Sequence, residues 1–151
     1  MHIDHVAIAV RSLDAAADRL QQMLGYVRKT AKVTNTRQKV DVMFLRKEGS
    51  LDIKLISPSD DESPLWDFVR KGGGLHHLCF KVPDVAAACA EVAGKGARIL
   101  SPPAPGEAFN DHDIAFCFLG LGLNVEFIDT DERRGAIDAP PVANIAEERQ
   151  S

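Results

Sequence analysis

The run from Ile3 to Val10, IDHVAIAV, is short, apolar and partly β-branched, which predicts a buried strand rather than a helix. Ser12 then offers an N-cap. Leu13, Ala16, Ala17, Leu20, Met23 and Leu24 recur at three- and four-residue spacing, the pattern of an amphipathic helix that Gly25 can end in the left-handed conformation. Two further strands are expected at about Lys39 to Arg46 and Leu51 to Ser57, separated by the turn Lys47-Glu48-Gly49, with room for an extra strand near Tyr26 to Val33. The first part of the chain therefore reads β-α-β-β.

The same plan returns further along. HLCFKV forms a strand, Asp84 a cap, and Val85, Ala88, Cys89 and Val92 an apolar helical face that ends at Gly94 and Gly96. A constant offset of 72 residues pairs His5 with His77, Val10 with Val82 and Ser12 with Asp84. A gap-free repeat of this kind identifies an internal duplication. Strands near Asp113 to Leu119 and Leu123 to Asp129 complete the second module. Between the modules lies SPSDDESPLWDFVRKGGG, where Ser63 can cap and Pro64 can open a short helix carrying Leu65, Trp66, Phe68 and Val69. After Asp129 the chain turns polar and contains proline, which predicts a loosely ordered tail over 130–151 with little part in the chemistry. The expected organisation is one domain over 1–129: module one at about 1–57, a helical linker at about 58–74 and module two at about 75–129.

Composition agrees with one domain, since 151 residues at 45% hydrophobic suffice for one core and not for two large ones. A net charge of -4 with interspersed signs lacks the basic stripe that nucleic acid or an anionic membrane would favour, so a small-molecule partner is expected. There is no long apolar run, and the chain reads as soluble and cytoplasmic. Cys79, Cys89 and Cys117 are isolated, which predicts buried thiols rather than disulfides or a thiolate metal site.

The repeat also concentrates chemistry, because the same offset maps Lys54 onto Glu126, each in the last strand of its module. Side chains in a strand alternate between faces, so His5, His77 and Glu126 can share one face while Val6, Leu78 and Phe127 pack against the helices. Two imidazoles and a carboxylate suit Zn, Co, Mn or Fe(II), with positions left open for water or substrate. Lys54 is the odd member, because an ammonium has no lone pair to give. It can supply its own cation to the cleft, bind a substrate carboxylate, or sit beside a three-ligand metal. His76 has the opposite parity to His77 and reads as structural. His112 reads as a loop residue. For a general base, Asp52 shares the parity of Lys54 and can pair with it in the cleft. Asp41 faces the cleft in one register and the other side in the next. Glu48, in a turn, reads as a solvated charge.

The IDHVAIAV strand with its helix and Leu24-Gly25, the segment DDESPLWDFV, and GGGLHHLCFKVPDVAAACAEVAGKGARIL together resemble the vicinal-oxygen-chelate (glyoxalase/bleomycin resistance/dioxygenase) superfamily. Within it they are most similar to the methylmalonyl-CoA epimerase branch, over about Ile3 to Ile128. The resemblance implies an α+β fold in which two βαβββ modules form a curved eight-stranded mixed sheet with helices on the outer face, usually in a homodimer. It implies an isomerase that abstracts a proton next to a carbonyl, on an acyl-CoA or similar substrate, with metal assistance. Co, Zn, Mn, Ni and Fe are the candidate ions. His5, His77 and Glu126 match the family's ligands, whereas the fourth position, usually Gln or Glu, is Lys54. That departure leaves room for a site without metal. The superfamily also offers a glyoxalase-like lyase, an Fe(II) ring-cleaving dioxygenase, and a metal-free binding protein of the bleomycin-resistance type.

Overall fold

Two capped helices set the frame of the structure, a computed structural model that describes residues 1–138. Ser12 Oγ accepts from the Ala15 amide at 3.2 Å to open α1 (Leu13–Leu24), and Asp84 Oδ1 accepts from the Ala87 amide at 2.7 Å to open α3 (Val85–Gly94). Such caps contribute about 1 kcal/mol each. Gly25 closes α1 in the left-handed conformation at φ 75°. The linker helix α2 (Trp66–Arg70) starts later than the sequence pattern suggests. Ser63 Oγ accepts from the Leu65 amide at 3.3 Å in a turn rather than as a helix cap, and its carbonyl accepts from the Trp66 amide at 3.2 Å.

In module one, β1 (His2–Ala9) precedes α1, followed by β2 (Val27–Arg28), β3 (Val33–Asn35), β4 (Val40–Arg46) and β5 (Asp52–Pro58). Module two holds β6 (Gly74–Lys81), then α3, β7 (Arg98–Gly106), β8 (His112–Phe118) and β9 (Asn124–Ile128). All join one mixed sheet in the order β2-β4-β5-β1-β6-β9-β8-β7, with β3 also on β4. Among the described residues the strands number nine rather than eight. The extra one arises because module one's outer strand is broken in two, β2 and β3 both pairing with β4, whereas β7 stays a single strand along β8 despite register shifts between Ile99 and Ala104.

The duplication extends to the register. Ala7 lies opposite Lys54 and Cys79 opposite Glu126 in the two parallel pairs, and Phe44 opposite Lys54 matches Phe116 opposite Glu126 in the antiparallel ones. Alternation then sorts the side chains. Leu13 and Ala17 of α1 pack on Met43, Leu45, Ile53 and Leu55, while Val85, Ala88 and Cys89 of α3 pack on Ala115, Cys117, Val125 and Phe127. Met23 and Leu24, expected on the buried face of α1, are instead exposed. The opposite face carries Val40, Val42, Phe44, Ile56, Phe109, Ile114 and Ile128. All three cysteines are free and buried, and no described helix is long and apolar enough to cross a membrane.

The chain after β9 departs from the loose tail read from its polarity. Through residue 138 it is pinned: Arg134 N–H donates to the Ala108 carbonyl at 2.9 Å, Ala31 N–H to Gly135 at 2.9 Å and Ile137 N–H to Lys29 at 2.8 Å. Thr130 and Arg133 are buried. The rest of the expected tail, 139–151, lies outside the described residues.

Gly73, at φ +66°, carries the chain from α2 into β6 so close to the end of β1 that a Cβ would collide with the Ala9 carbonyl oxygen. Gly73→Ala is expected to cost about 3 kcal/mol in denaturant unfolding, since backbone on backbone leaves nothing flexible to yield. Gly49→Ala, at φ +75° with open space around it, is expected to cost about 1 kcal/mol. Equal losses at the two positions would show that the Gly73 contact is not what the residue is there for.

Candidate functional site

The shared register delivers four polar side chains to one buried point on the concave face. His5 on β1, Lys54 on β5, His77 on β6 and Glu126 on β9 are each 3% exposed or less. Glu126 is the hub. Its Oε1 lies 3.2 Å from His5 Nε2, 3.3 Å from His77 Nε2 and 3.3 Å from Lys54 Nζ, while its Oε2 lies 3.2 Å from the same ammonium. Lys54 Nζ also sits 5.1 Å over the Phe109 ring, whose negative face favours a cation.

Burial alone would raise the Glu126 carboxyl, but the Lys54 ammonium and the His5 and His77 rings outweigh it and hold the group well below the usual carboxylate range. His77 is pushed down to about 4, chiefly by burial and against the pull of Glu126, so its ring is neutral near pH 7. His76 is also lowered, by burial and then by Lys54. Burial raises the Cys79 thiol, and Glu126 adds to the effect, so this cysteine is not a ready thiolate.

The donor set fits a metal ion. One atom each from His5, His77 and Glu126 lie within 4.8 Å of one another. Although His77 Nε2 is close to Glu126 Oε1, it lacks the alignment of a hydrogen bond and is left buried without a partner. Its Nδ1 is 2.8 Å from His76 Nδ1. One ring must donate in that contact; with the proton on His77 Nδ1, Nε2 turns its lone pair toward His5 and Glu126, as a metal-ligating imidazole does. Lys54 opposes this, since it already engages the anionic donor.

His5 is oriented from behind. The register of β1 against β6 slips between Ile3 and His5, and there Asp4 Oδ2 reaches His5 Nδ1 at 2.7 Å. Burial raises Asp4, but the hydrogen bond with His5 and the charge of Arg133 bring its carboxyl below the ordinary value. Arg133 Nη2 meets the same oxygen at 2.6 Å, and its guanidinium stacks 4.7 Å from both the Phe44 and Phe109 rings. Nothing in the sequence pattern marks Arg133. Asp4 was legible only as the neighbour of His5.

Neither of the two expected bases pairs with the Glu126 cluster. Asp52 does not pair with Lys54: its Oδ2 is 2.5 Å from Lys29 Nζ, because Lys54 reaches the more deeply buried Glu126 instead. Asp41 accepts from Thr34 Oγ1 at 2.6 Å and takes the parity of Met43 and Leu45, away from the cleft. His112 stays exposed beside Glu132 and Asp129. In contrast His76, read as structural, opens onto a cavity of about 440 Å³ above the cluster. Lys54, His77, Ser101 and Asn124 line it, Val40, Leu65 and Phe116 supply apolar wall, and the exposed Arg37 stands at its edge. A run of two histidines could have flagged His76, since a bulged strand need not keep strict parity.

Arg133→Met is expected to lower stability by about 2 to 4 kcal/mol in denaturant unfolding, because it strands the partly buried Asp4 carboxylate. The same variant should shift the His5 ring signals in NMR. A loss under about 0.5 kcal/mol with unmoved His5 signals would remove Arg133 from the support of the site.

The Glyoxalase/Bleomycin resistance protein/Dioxygenase superfamily model matches residues 4–116. The chain is 35% identical over 105 residues to the ethylmalonyl-CoA/methylmalonyl-CoA epimerase of Cereibacter sphaeroides, covering 68% of this chain and 77% of that one. It spans only 60% of the Dictyostelium discoideum and 56% of the human mitochondrial methylmalonyl-CoA epimerase that it also matches. Among solved structures, methylmalonyl-CoA epimerase from Mycobacterium tuberculosis superposes with a TM-score of 0.74 at 30% identity, covering 84% of this chain and 86% of that one. A Streptomyces coelicolor methylmalonyl-CoA epimerase variant in complex with 2-nitronate-propionyl-CoA gives 0.76 at 26% identity, covering 87% and 98%. With its duplicated register, its buried two-histidine, one-carboxylate cluster and these matches, the chain belongs to the glyoxalase/bleomycin resistance/dioxygenase superfamily.

Proposed function

We propose that this chain is an epimerase-like isomerase acting on a 2-substituted acyl-CoA that carries a carboxylate, as methylmalonyl-CoA does. The observation that carries the reading is the His5, His77 and Glu126 donor set directly below the cavity. The named activity of the Cereibacter relative and the acyl-CoA analogue held by the Streptomyces one support it.

In such a reaction a proton leaves the carbon between a thioester carbonyl and a carboxylate and returns on the other face. The obstacle is the negative charge that develops on the carbonyl oxygen. His5, His77 and Glu126 would hold a divalent ion such as Co, Zn, Mn, Ni or Fe, which when bound supplies Lewis-acid stabilisation of that oxygen. Around it the chain's own residues shape the event. Val40, Leu65 and Phe116 exclude water from the cavity wall and so strengthen every charge interaction inside. Arg37 at the cavity edge and Lys54 at its floor offer cations to an anionic substrate. Asp4 and His76 fix the rings of His5 and His77. Glu126, with its low proton affinity, serves as ligand and counter-ion in preference to proton carrier.

Incubation with methylmalonyl-CoA in deuterated buffer, with Co2+ supplied, should place deuterium on the carbon between the two carbonyl groups. His77→Ala and Glu126→Gln should each slow that exchange by about a hundredfold or more. Absence of exchange by the folded, metal-supplied protein would sink the isomerase reading.

A further inference from the structure

The metal reading leaves one feature unexplained: a lysine, buried and already paired, among the donors. Lys54 Nζ is nearly equidistant from the two Glu126 oxygens, at 3.3 and 3.2 Å, which is where a cation would stand to share that carboxylate. The Phe109 ring face lies beneath it at 5.1 Å. Lys54 thus has what a bound cation needs: an anion in front, a π-face behind and almost no exposure of its own.

We propose that Lys54 is a resident cation that competes with metal for Glu126, so that the site is charge-complete without metal and binds metal weakly and exchangeably. This rests on the reading of His5, His77 and Glu126 as a metal-binding set, and it concerns affinity rather than the reaction.

The physical argument is one of charge. Without metal, the Lys54 ammonium and the Glu126 carboxylate face one another at 3.2 Å and cancel. A divalent ion brought to the same carboxylate would face the ammonium within a few ångströms, in surroundings where water does not screen the repulsion. Metal can bind only as the ammonium withdraws. Lys54 has a path for that, because its side chain borders the cavity above the cluster. A neutral side chain at this position removes the competitor and leaves all three donors in place. It also removes the counter-ion that keeps the metal-free Glu126 paired. One substitution therefore acts on both states, strengthening metal binding and weakening the empty fold.

Three proteins test this: the full chain, Lys54→Met and Lys54→Gln. The glutamine variant can still donate a hydrogen bond to Glu126, which guards against a methionine variant that fails to fold. After dialysis against EDTA, Co2+ binding is measured by titration, and melting temperature is measured with and without Co2+. The expected result is affinity at least about tenfold higher in Lys54→Gln than in the unaltered chain. Its melting temperature should fall below that of the unaltered chain in EDTA and rise steeply with Co2+, whereas the unaltered chain should respond little. Equal or weaker Co2+ binding by the folded variants would overturn the proposal, as would tight stoichiometric metal in the unaltered chain. The deuterium-exchange assay is independent of these readouts. Exchange by an unaltered chain that binds Co2+ as tightly as its variants would keep the isomerase reading and discard the competition.

Discussion

A carboxylate without any exposure, Glu126, is the constraint around which the concave face is arranged. Burying an unpaired carboxylate costs several kcal/mol even after relaxation. The sheet answers by placing Lys54, His5 and His77 within 3.3 Å of it. None of these partners is local in sequence. Each arrives on a different strand, so the cluster exists only when β5, β1, β6 and β9 lie side by side in their native registers. A slip of one residue in any of them would turn its polar side chain toward the helices.

The duplication explains why those registers agree. The parallel pairs β1–β5 and β6–β9 repeat one another with the same 72-residue offset seen in the sequence, as do the helix caps. Two halves so related bring equivalent positions to a common axis: histidine with histidine, and Lys54 with Glu126. Symmetry of backbone is thus combined with opposition of charge. A duplicated carboxylate would have placed two anions together and demanded a cation to hold them; here one half carries the cation itself.

This is also why the central part of the site was legible and its surroundings were not. The caps, the periodic helices and the repeat are local or self-consistent signals, and they led to His5, His77, Glu126 and Lys54 without structural help. The pairing of Asp52 with Lys29, by contrast, depends on which of two carboxylates Lys54 prefers, a competition between burial and distance that spacing does not encode. Asp41 was lost to parity, the one ambiguity that a strand pattern leaves open. The break between β2 and β3 was equally hidden. Thr30 at that break is buried, its hydroxyl accepts from the Phe44 amide at 3.0 Å, and it bridges to Ala136, a partner more than a hundred residues away.

Arg133 carries that lesson furthest. Polarity and a nearby proline made the chain beyond β9 look dispensable, yet Arg133 returns to fill the space between Phe44 and Phe109 and to fix Asp4 behind His5. The same Phe109 ring that stacks on Arg133 lies under Lys54, and Phe44 meets His5 edge-on at 5.1 Å. Two cations and an imidazole are therefore held by one pair of aromatic rings. A buried charge cluster needs apolar walls to exclude water and polar contacts to fix its geometry. Here the walls come from β4 and from the 3-10 turn Glu107–Phe109, and the closing cation comes from beyond the last strand. The chain after β9 is thus part of the site's support, because without it the ring pair would face solvent on the side from which His5 is oriented.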